Sequence, residues 1–157
     1  SVIHVQSARE MLAACEGALP ADIAVCAAAV SDWRSADAAP SKLKKNGSAP
    51  KPLELALNPD ILATLSAAGN KRPAIVVGFA AETNDLIDHA TQKRLAKGCD
   101  WILANDVSSD TGTFGGQDNT VHLISDQGVE DWPKMSKQAV ADKLADRIAD
   151  ILEGPQS

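Results

Sequence analysis

The sequence contains no tyrosine, no long apolar run and no cysteine pair at metal-binding spacing. Cys15, Cys26 and Cys99 are odd in number and far apart, which argues against a disulfide framework or a structural zinc site. No apolar run approaches the roughly 18 to 20 residues that a membrane span needs, and the first residues lack a signal-peptide pattern. We therefore expect a cytoplasmic protein with no membrane partner.

Basic residues are also scarce. There are 15 Lys and Arg against 21 Asp and Glu, so the net charge is −6 and the pI is about 4.9. This balance argues against a protein that binds nucleic acid or membrane surfaces through a general basic field. With 45% hydrophobic residues in 157, the chain can bury the core of one domain, residues 1–157.

A glycine-rich turn of the G-x-G-x-x-G or P-loop type is missing after the first predicted strand, although the rest of the pattern suits nucleotide binding. The chain therefore begins in what resembles the middle of a nucleotide-binding fold. We expect an N-terminal portion to be missing from it.

The clearest positive signal is a set of non-alternating apolar runs, which are typical of parallel strands covered on both faces. These runs are Ile23–Val30, Ala74–Ala81 and Trp101–Ala104. Further strands are predicted over 2–5 and 53–57, a hairpin over 121–132, and helices over about 8–18, 59–68, 83–97 and 137–152. At the start of the first helix Ser7 and Glu10 have capping-box spacing, and Ser136 is expected to cap the last helix. At the start of the second helix, Asn58 is expected to be the N-cap, Pro59 the first helical residue and Asp60 part of the first turn. The sum predicts an α/β fold, a three-layer Rossmann-like sandwich with a mainly parallel sheet, plus a C-terminal β-hairpin and helix.

Positive charge is concentrated after the first of these runs. The segment from Ala38 to Leu53 has no acidic residue but four lysines, Lys42, Lys44, Lys45 and Lys51. A strand that ends near a carboxylate, Asp32, and leads into a basic loop favours a local anion site. On composition alone, a solvated loop explains the lysines about equally well, and Asp32 is more simply a turn or cap residue.

Lys93 and Lys97 form a second basic feature. Their i, i+4 spacing places both ammonium groups on one helix face, where they repel unless an anion or an acid lies between them. Taken alone, a solvated helix face is the simpler interpretation of this pair.

Six motifs occur together in one order: A-A-A-V-S-D-W at 27–33, K-L-K-K at 42–45, N-P-D-I at 58–61, G-F-A-A-E at 78–82, the Lys93/Lys97 pair, and N-D-V at 105–107. In this combination the chain resembles the phosphopantothenoylcysteine synthetase domain, the CTP-dependent phosphopantothenate–cysteine ligase of bacterial coenzyme A biosynthesis. The resemblance covers nearly the whole chain and departs at its start, where the family has a strand, a glycine-containing turn and a further phosphate-binding segment.

The resemblance implies a two-step ligation. The carboxylate of 4′-phosphopantothenate attacks the α-phosphate of CTP and releases pyrophosphate, and the amine of cysteine then displaces CMP from the acyl cytidylate. It also implies Mg²⁺ with CTP as co-substrate, a homodimer, and fusion to or association with a phosphopantothenoylcysteine decarboxylase domain. FMN would belong to that separate domain and not to this chain.

The resemblance also assigns the site. Lys42 would be the catalytic residue that neutralises charge around the acyl cytidylate, and the basic segment 43–52 would be a mobile flap. The residues implied to bind the nucleotide, with no protein metal ligand among them, are Cys26, Ala27, Ala28, Asp32, Lys42, Pro59, Asp60, Ile61, Leu62, Phe79, Lys93 and Lys97.

Two alternatives remain open. A Rossmann-like dinucleotide-dependent oxidoreductase would share the sheet pattern, but it predicts a glycine fingerprint and usually a Tyr-x-x-x-Lys motif, and the chain has no tyrosine. A nucleotide-binding fragment without activity by itself is compatible with the family resemblance. The three histidines are isolated and show no ligand spacing, and the hairpin at 121–132 is the sheet edge where we expect two copies to pair.

Overall fold

A computed structural model describes residues 1–37, 52–82, 84–106 and 118–154. Its helices are α1 (Ala8–Gly17), α2 (Ile61–Ser66), α3 (Leu86–Lys97) and α4 (Lys137–Glu153), with a 3₁₀ turn at Gly69–Lys71. Its strands are β1 (Ile23–Cys26), β2 (Trp33–Ser35), β3 (Leu55–Leu57), β4 (Ile75–Glu82), β5 (Trp101–Asp106), β6 (Asp118–Asn119), β7 (Val121–Ser125), β8 (Gly128–Asp131) and β9 (Met135–Ser136).

The central sheet has the strand order β1-β4-β5-β7-β8. Strands β1, β4 and β5 are parallel, with Val25 opposite Val77 and Phe79 opposite Leu103. Strands β7 and β8 continue the sheet as an antiparallel hairpin. This arrangement confirms the predicted α/β fold with a mainly parallel sheet and a C-terminal hairpin.

Helices cover both faces of this sheet. Val140, Leu144 and Ile148 of α4 follow the helical repeat and pack against one face, in a cluster with Trp101 and Trp132. The other face packs against α3 and α2 through a cluster that includes Ala90, Ile102 and the partly buried Leu62. The three-layer prediction is therefore confirmed, and the core lies on both sides of β4 and β5.

Side-chain caps set the starts of the first and last helices, as predicted. The Ser7 hydroxyl accepts a hydrogen bond from the Glu10 amide at 3.2 Å, and the Glu10 carboxylate accepts one from the Ser7 amide at 3.0 Å, which completes a capping box. Ser136 caps α4 by accepting from the Ala139 amide at 3.1 Å.

Two predictions at the start of the chain are wrong. Residues 2–5 form no strand, and the Val2 side chain is 81% exposed. The apolar run from Ile23 is a strand only to Cys26, and it lies at the edge of the described sheet with Val25 46% exposed. Since β1 pairs with β4 on one side only, an apolar run that suits a central strand is here only half-buried.

The beginning of α2 also differs from the prediction. The N-cap is Asp60 and not Asn58, and the helix runs only from Ile61 to Ser66. The Asp60 side chain accepts a hydrogen bond from the Ala63 amide at 3.0 Å, so it satisfies an early helical donor that Asn58 was expected to serve. The third helix begins at Leu86 rather than near residue 83.

Between β1 and α2 the chain forms a two-stranded antiparallel ribbon of β2 and β3, of which only the second strand was predicted. Trp33 lies opposite Leu57, and both side chains are mostly exposed, at 54% and 65%. The ribbon carries the chain from the end of β1 to the start of α2, so residues on either side of it lie close together.

No helix in the described part of the chain is long and apolar enough to cross a membrane.

Candidate functional site

The first strand ends at Cys26, which lies opposite Gly78 of β4. Partial burial raises the pKa of the Cys26 thiol above its ordinary value, and the neighbouring Cys15, Cys99 and Asp60 act in the same direction. The thiol therefore stays protonated at neutral pH, which suits a wall of a binding site rather than a nucleophile. Ala27 and Ala28 follow Cys26 as exposed residues, and their small side chains leave room for a ligand to approach the backbone.

Gly78 allows α2 to lie close to the sheet. A Cβ atom at this position would stand 2.5 Å from Leu62 Cδ2 and 2.8 Å from Ile102 Cδ1. Leu62 is therefore seated directly over Gly78, and this contact fixes the start of α2 beside the end of β1. Ile61 is buried at 8% exposure, so a ligand at this helix start would meet its backbone rather than its side chain.

An ion pair joins the start of α2 to the end of α3. Lys97 donates a hydrogen bond to the carboxylate of Asp60, the N-cap of α2. Partial burial acts to raise the pKa of Asp60, but the hydrogen bonds from Lys97 and the Ala63 amide, together with the charges of Lys97 and Lys93, outweigh it and hold this pKa below its ordinary value. Asp60 is thus the acid that relieves the repulsion expected between the two lysines.

Lys93 lies one turn before Lys97 and reaches the sheet itself. Its ammonium group donates a hydrogen bond to the Phe79 carbonyl oxygen at 2.8 Å. The simpler interpretation of these lysines as a solvated helix face is therefore wrong. The Phe79 side chain packs against the cluster on the α4 face, so at this position Lys93 meets the backbone of β4 and not the aromatic ring.

Asp32 lies between the end of β1 and the start of β2, immediately before the ribbon. Its side chain is exposed, and its carbonyl oxygen accepts a hydrogen bond from the Asn58 amide at 2.8 Å. The Asn58 side chain donates a second hydrogen bond to the Ser31 carbonyl, also at 2.8 Å. These two bonds fasten the segment after β1 to the segment before α2, which also contains Pro59.

A cavity of about 390 Å³ opens beside these segments. Its walls are the start of α1, the stretch Ala29–Ser31, and the side chains of Arg34 and Asn58. Arg34 is held in place by a hydrogen bond from its guanidinium group to the Leu57 carbonyl.

The structure thus brings the predicted residues at 26–28, 32, 59–62, 93 and 97 together around the end of β1, from segments far apart in the sequence. Lys42, Lys44, Lys45 and Lys51 lie outside the described residues, as does the predicted flap at 43–52 apart from Pro52. Sequence reasoning missed the contact of Gly78 with Leu62 and the link from Asn58 to Ser31. No local sequence pattern predicts these two contacts, because each joins residues that are distant in sequence.

Chemically, the ammonium groups of Lys93 and Lys97 can donate further hydrogen bonds to an anionic ligand, and the exposed Asp32 carboxylate can accept hydrogen bonds from neutral donor groups of the same ligand. Within the described ranges, no group of three or more His, Cys, Asp or Glu side chains is placed to hold a metal ion.

The chain is similar to known proteins in both sequence and fold. Residues 1–152 match the family model described as the DNA/pantothenate metabolism flavoprotein C-terminal domain. The chain is 40% identical over 149 residues to the coenzyme A biosynthesis bifunctional protein CoaBC of Escherichia coli (strain K12), which covers 93% of this chain and 36% of that protein. It is 36% identical to the CoaBC protein of Mycobacterium bovis, over 99% of this chain and 40% of the relative. The chain therefore spans well under half the length of these curated relatives.

Solved structures give the same result for the fold. The crystal structure of the C-terminal domain of a coenzyme A biosynthesis bifunctional protein CoaBC superposes with a TM-score of 0.73 at 30% identity, covering 96% of this chain and 65% of that one. A DNA/pantothenate metabolism flavoprotein from Streptococcus pneumoniae superposes with a TM-score of 0.74 at 16% identity, covering 95% and 72%, and shows the likeness of fold alone. From the family match and these likenesses, the chain belongs to the family of the DNA/pantothenate metabolism flavoprotein C-terminal domain.

Proposed function

We propose that this chain carries the phosphopantothenate–cysteine ligase site of coenzyme A biosynthesis, with CTP as the activating nucleotide. The observation that supports this most is the convergence of Asp32, Asp60, Lys93 and Lys97 around the end of β1, where the family resemblance assigns nucleotide contacts. The names of the relatives, which are coenzyme A biosynthesis proteins, support the pathway.

The proposed reaction has two steps. In the first, a carboxylate oxygen of 4′-phosphopantothenate forms a bond to the α-phosphorus of CTP, and the bond to the departing pyrophosphate breaks. In the second, the cysteine amine attacks the acyl carbonyl carbon, CMP leaves with the electron pair of the broken bond, and the amine loses a proton. Both steps bring together anions that repel in water, so positioned cations lower the barrier by electrostatic stabilisation.

The described residues supply positioning and part of this charge. We assign Lys93 and Lys97 to the nucleotide, since both ammonium groups already lie at the end of β1 and can exchange a protein acceptor for a phosphate oxygen. The backbone of Ala27 and Ala28, next to Cys26, would contact the nucleotide, and Asp32 would orient it. Pro59–Leu62 would supply the contact at the helix start, and Phe79 would form a wall on the opposite, α4 face of the sheet.

Mg²⁺ enters this proposal with the triphosphate of CTP, whose oxygens are the hard ligands that Mg²⁺ prefers. No protein residue is proposed as its ligand. Lys42 is proposed as the residue that neutralises charge on the acyl cytidylate, with the segment 43–52 closing over the intermediate to limit its hydrolysis. The cavity beside Arg34 offers room for the second substrate.

The test is to incubate the 157-residue chain with CTP, 4′-phosphopantothenate, cysteine and Mg²⁺ and to measure pyrophosphate release, alongside equilibrium binding of CTP, ATP and NAD(P). Pyrophosphate release that depends on 4′-phosphopantothenate supports the ligase. Saturable binding that prefers CTP, without turnover, supports a nucleotide-binding fragment. Binding of NAD(P) that equals or exceeds that of CTP would contradict the proposal and favour the oxidoreductase alternative.

A Lys42→Gln variant tests the catalytic role proposed for Lys42. The variant is assayed in a form of the protein that catalyses ligation. We expect pyrophosphate release to fall by at least about 100-fold, as for loss of a group that stabilises transition-state charge. The matched control is Lys71→Gln, which removes the same charge from the exposed 3₁₀ turn and should leave the rate unchanged. Undiminished ligation in the Lys42 variant would remove this residue from the mechanism.

The proposal includes a cytoplasmic homodimer that is fused to or associated with a decarboxylase domain. Strand β8 ends the described sheet and presents an edge, with Val129 46% exposed, where a second copy can pair. Sedimentation at rising concentration tests the dimer. A species that stays monomeric at high concentration would contradict pairing by this chain.

A further inference from the structure

We infer that Asn58 is a positioning residue of the nucleotide site, and that it acts by holding Asp32 in place relative to the start of α2. This inference rests on the proposed function and adds a residue to which the family resemblance assigns no role. Its basis is the pair of hydrogen bonds that Asn58 makes across the ribbon.

Asn58 is not needed as a helix cap. Asp60 performs that task through its hydrogen bond from the Ala63 amide. The Asn58 side chain turns instead to the segment after β1 and donates to the Ser31 carbonyl at 2.8 Å. Ser31 and Asn58 are 27 residues apart in sequence, so this bond is purely tertiary.

The backbone of Asn58 also holds Asp32, the residue that follows Ser31. Its amide donates to the Asp32 carbonyl at 2.8 Å and extends the β2–β3 ladder by one pair beyond Trp33 and Leu57. Two consecutive carbonyl groups, those of Ser31 and Asp32, are therefore fixed by one residue. Loss of the carboxamide would release Ser31 and leave Asp32 held to this segment by the Asn58 amide alone, at the end of a short ribbon.

The segment that follows Asn58 is conformationally restricted. Pro59 comes directly after Asn58: its ring fixes its own φ angle, and it confines Asn58 to extended backbone conformations. Asp60 then holds Lys97. One short stretch, 58–60, thus links Asp32 to the ammonium group of Lys97, and the carboxamide of Asn58 sets the distance between these two proposed nucleotide contacts.

A direct test measures CTP binding by the 157-residue chain, by titration calorimetry with Mg²⁺ present, for the wild type, Asn58→Ala and Asn58→Gln. Because one hydrogen bond is removed, we expect Asn58→Ala to weaken CTP binding about 5- to 10-fold. Asn58→Gln keeps the carboxamide donor on a longer stem and should recover part of the loss. The control for a general loss of stability is Ser136→Ala, which removes one side-chain hydrogen bond at the start of α4, on the other face of the sheet, and should leave CTP binding unchanged.

A double-mutant cycle shows whether Asn58 acts through Asp32. If it does, adding Asn58→Ala to Asp32→Ala should change CTP affinity by less than about 2-fold, because the residue that it positions is already gone. Additive losses would overturn the inference, as would an Asn58→Ala variant that binds CTP as tightly as the wild type. If the wild-type chain binds no CTP, the proposed function fails and this inference fails with it, whereas wild-type binding that is insensitive to Asn58 removes the inference alone.

Discussion

The helix α2 is held at both ends by a pair of opposite charges, but the two pairs use their hydrogen-bonding capacity differently. Beyond the end of α2, Arg72 donates to the carbonyls of Ser66, Pro73 and Gly98 and to the carboxylate of Asp100, which also accepts from the Val76 amide. At the start, Asp60 is paired with Lys97.

Burial does not explain this difference. The side chains are 26% and 37% exposed in the Arg72–Asp100 pair, and 33% and 43% exposed in the Lys97–Asp60 pair. The difference lies in the number of bonds, since the planar guanidinium fork is matched by four acceptors whereas the ammonium groups near Asp60 each donate one hydrogen bond to the described residues. One end of α2 is therefore suited to hold the fold, and the other keeps donors available for a ligand.

Removing the Arg72 guanidinium group should have the largest effect on stability, because it removes the group that holds the C-terminal end of α2. We expect Arg72→Ala to lower the free energy of unfolding by about 2–3 kcal/mol, because Asp100 and several carbonyls lose their donor. Urea unfolding measures the change, with Lys134→Ala, an exposed residue, as the control. CTP affinity of the folded variant should stay within about 2-fold of the wild type. A loss of affinity without a loss of stability would reverse the roles of the two ends.

A methyl group on Gly78 should disturb the ligand end through packing. We expect Gly78→Ala to lower the free energy of unfolding by about 1–2 kcal/mol and to weaken CTP binding, because the new Cβ displaces Leu62 and with it the start of α2. Gly17→Ala is the matched control, since nothing lies within 4 Å of a Cβ at that position. Unchanged stability and affinity in the Gly78 variant would show that Leu62 yields at no cost.

Neutralising Lys97 should separate binding from stability. Lys97→Met keeps the apolar stem, and we expect CTP binding to weaken about 5- to 10-fold while the free energy of unfolding changes by less than about 1 kcal/mol, as for other partly exposed ion pairs. Lys143→Met is the contrasting control. It removes a cation that lies 4.7 Å from the Trp132 ring centre and 3.6 Å from Glu130 on the α4 side, so it should affect stability and leave CTP binding unchanged.

The smallest expected effect is a pH dependence at Asp60. Because the pKa of Asp60 is lowered in the folded chain, its charge contributes stability above the unfolded value of about 3.9, and this contribution is lost as the pH falls through the lower folded value. Asp60→Asn keeps a good N-cap but removes the charge. The wild type should therefore be slightly more stable than this variant at pH 7, and the gap should close in acid.

Urea unfolding of both proteins at a series of pH values measures this gap. Asp146→Asn, at an exposed position on α4, makes the same change of charge away from α2 and is the control for the change of charge itself. A gap between the wild type and Asp60→Asn that persists at low pH would mean that the charge of Asp60 contributes nothing to stability.

The contrast also shows which features sequence reasoning reaches. The caps at Ser7 and Ser136 were predicted because a cap depends on residues three positions apart. The edge position of β1 could not be predicted, because the exposure of a strand depends on which strands lie beside it. An apolar run has the same sequence pattern in a central strand and in an edge strand. The sequence Asn-Pro-Asp predicts an N-cap at Asn58 because all three residue types favour a helix start, and only the geometry selects Asp60.

In the candidate site, too, features set by local spacing can be predicted from the sequence, and features set by tertiary packing cannot. Lys93 and Lys97 could be placed on one helix face from their spacing, and an acid between them could be anticipated. That the acid is Asp60, 37 residues earlier in the chain, could not be, because it depends on how α2 and α3 pack. The role of Gly78 was hidden for the same reason, since its partners Leu62 and Ile102 belong to other elements.

The exposure of Trp33 on the ribbon has a practical consequence. The chain has no tyrosine, so its intrinsic fluorescence comes from three tryptophans, of which Trp101 and Trp132 are 6% and 2% exposed and Trp33 is 54% exposed. A soluble quencher such as acrylamide will therefore act first on Trp33, which stands next to Asp32. Without any added label, the emission of this one residue reports the state of the ribbon and of the segment that Asn58 fastens to it.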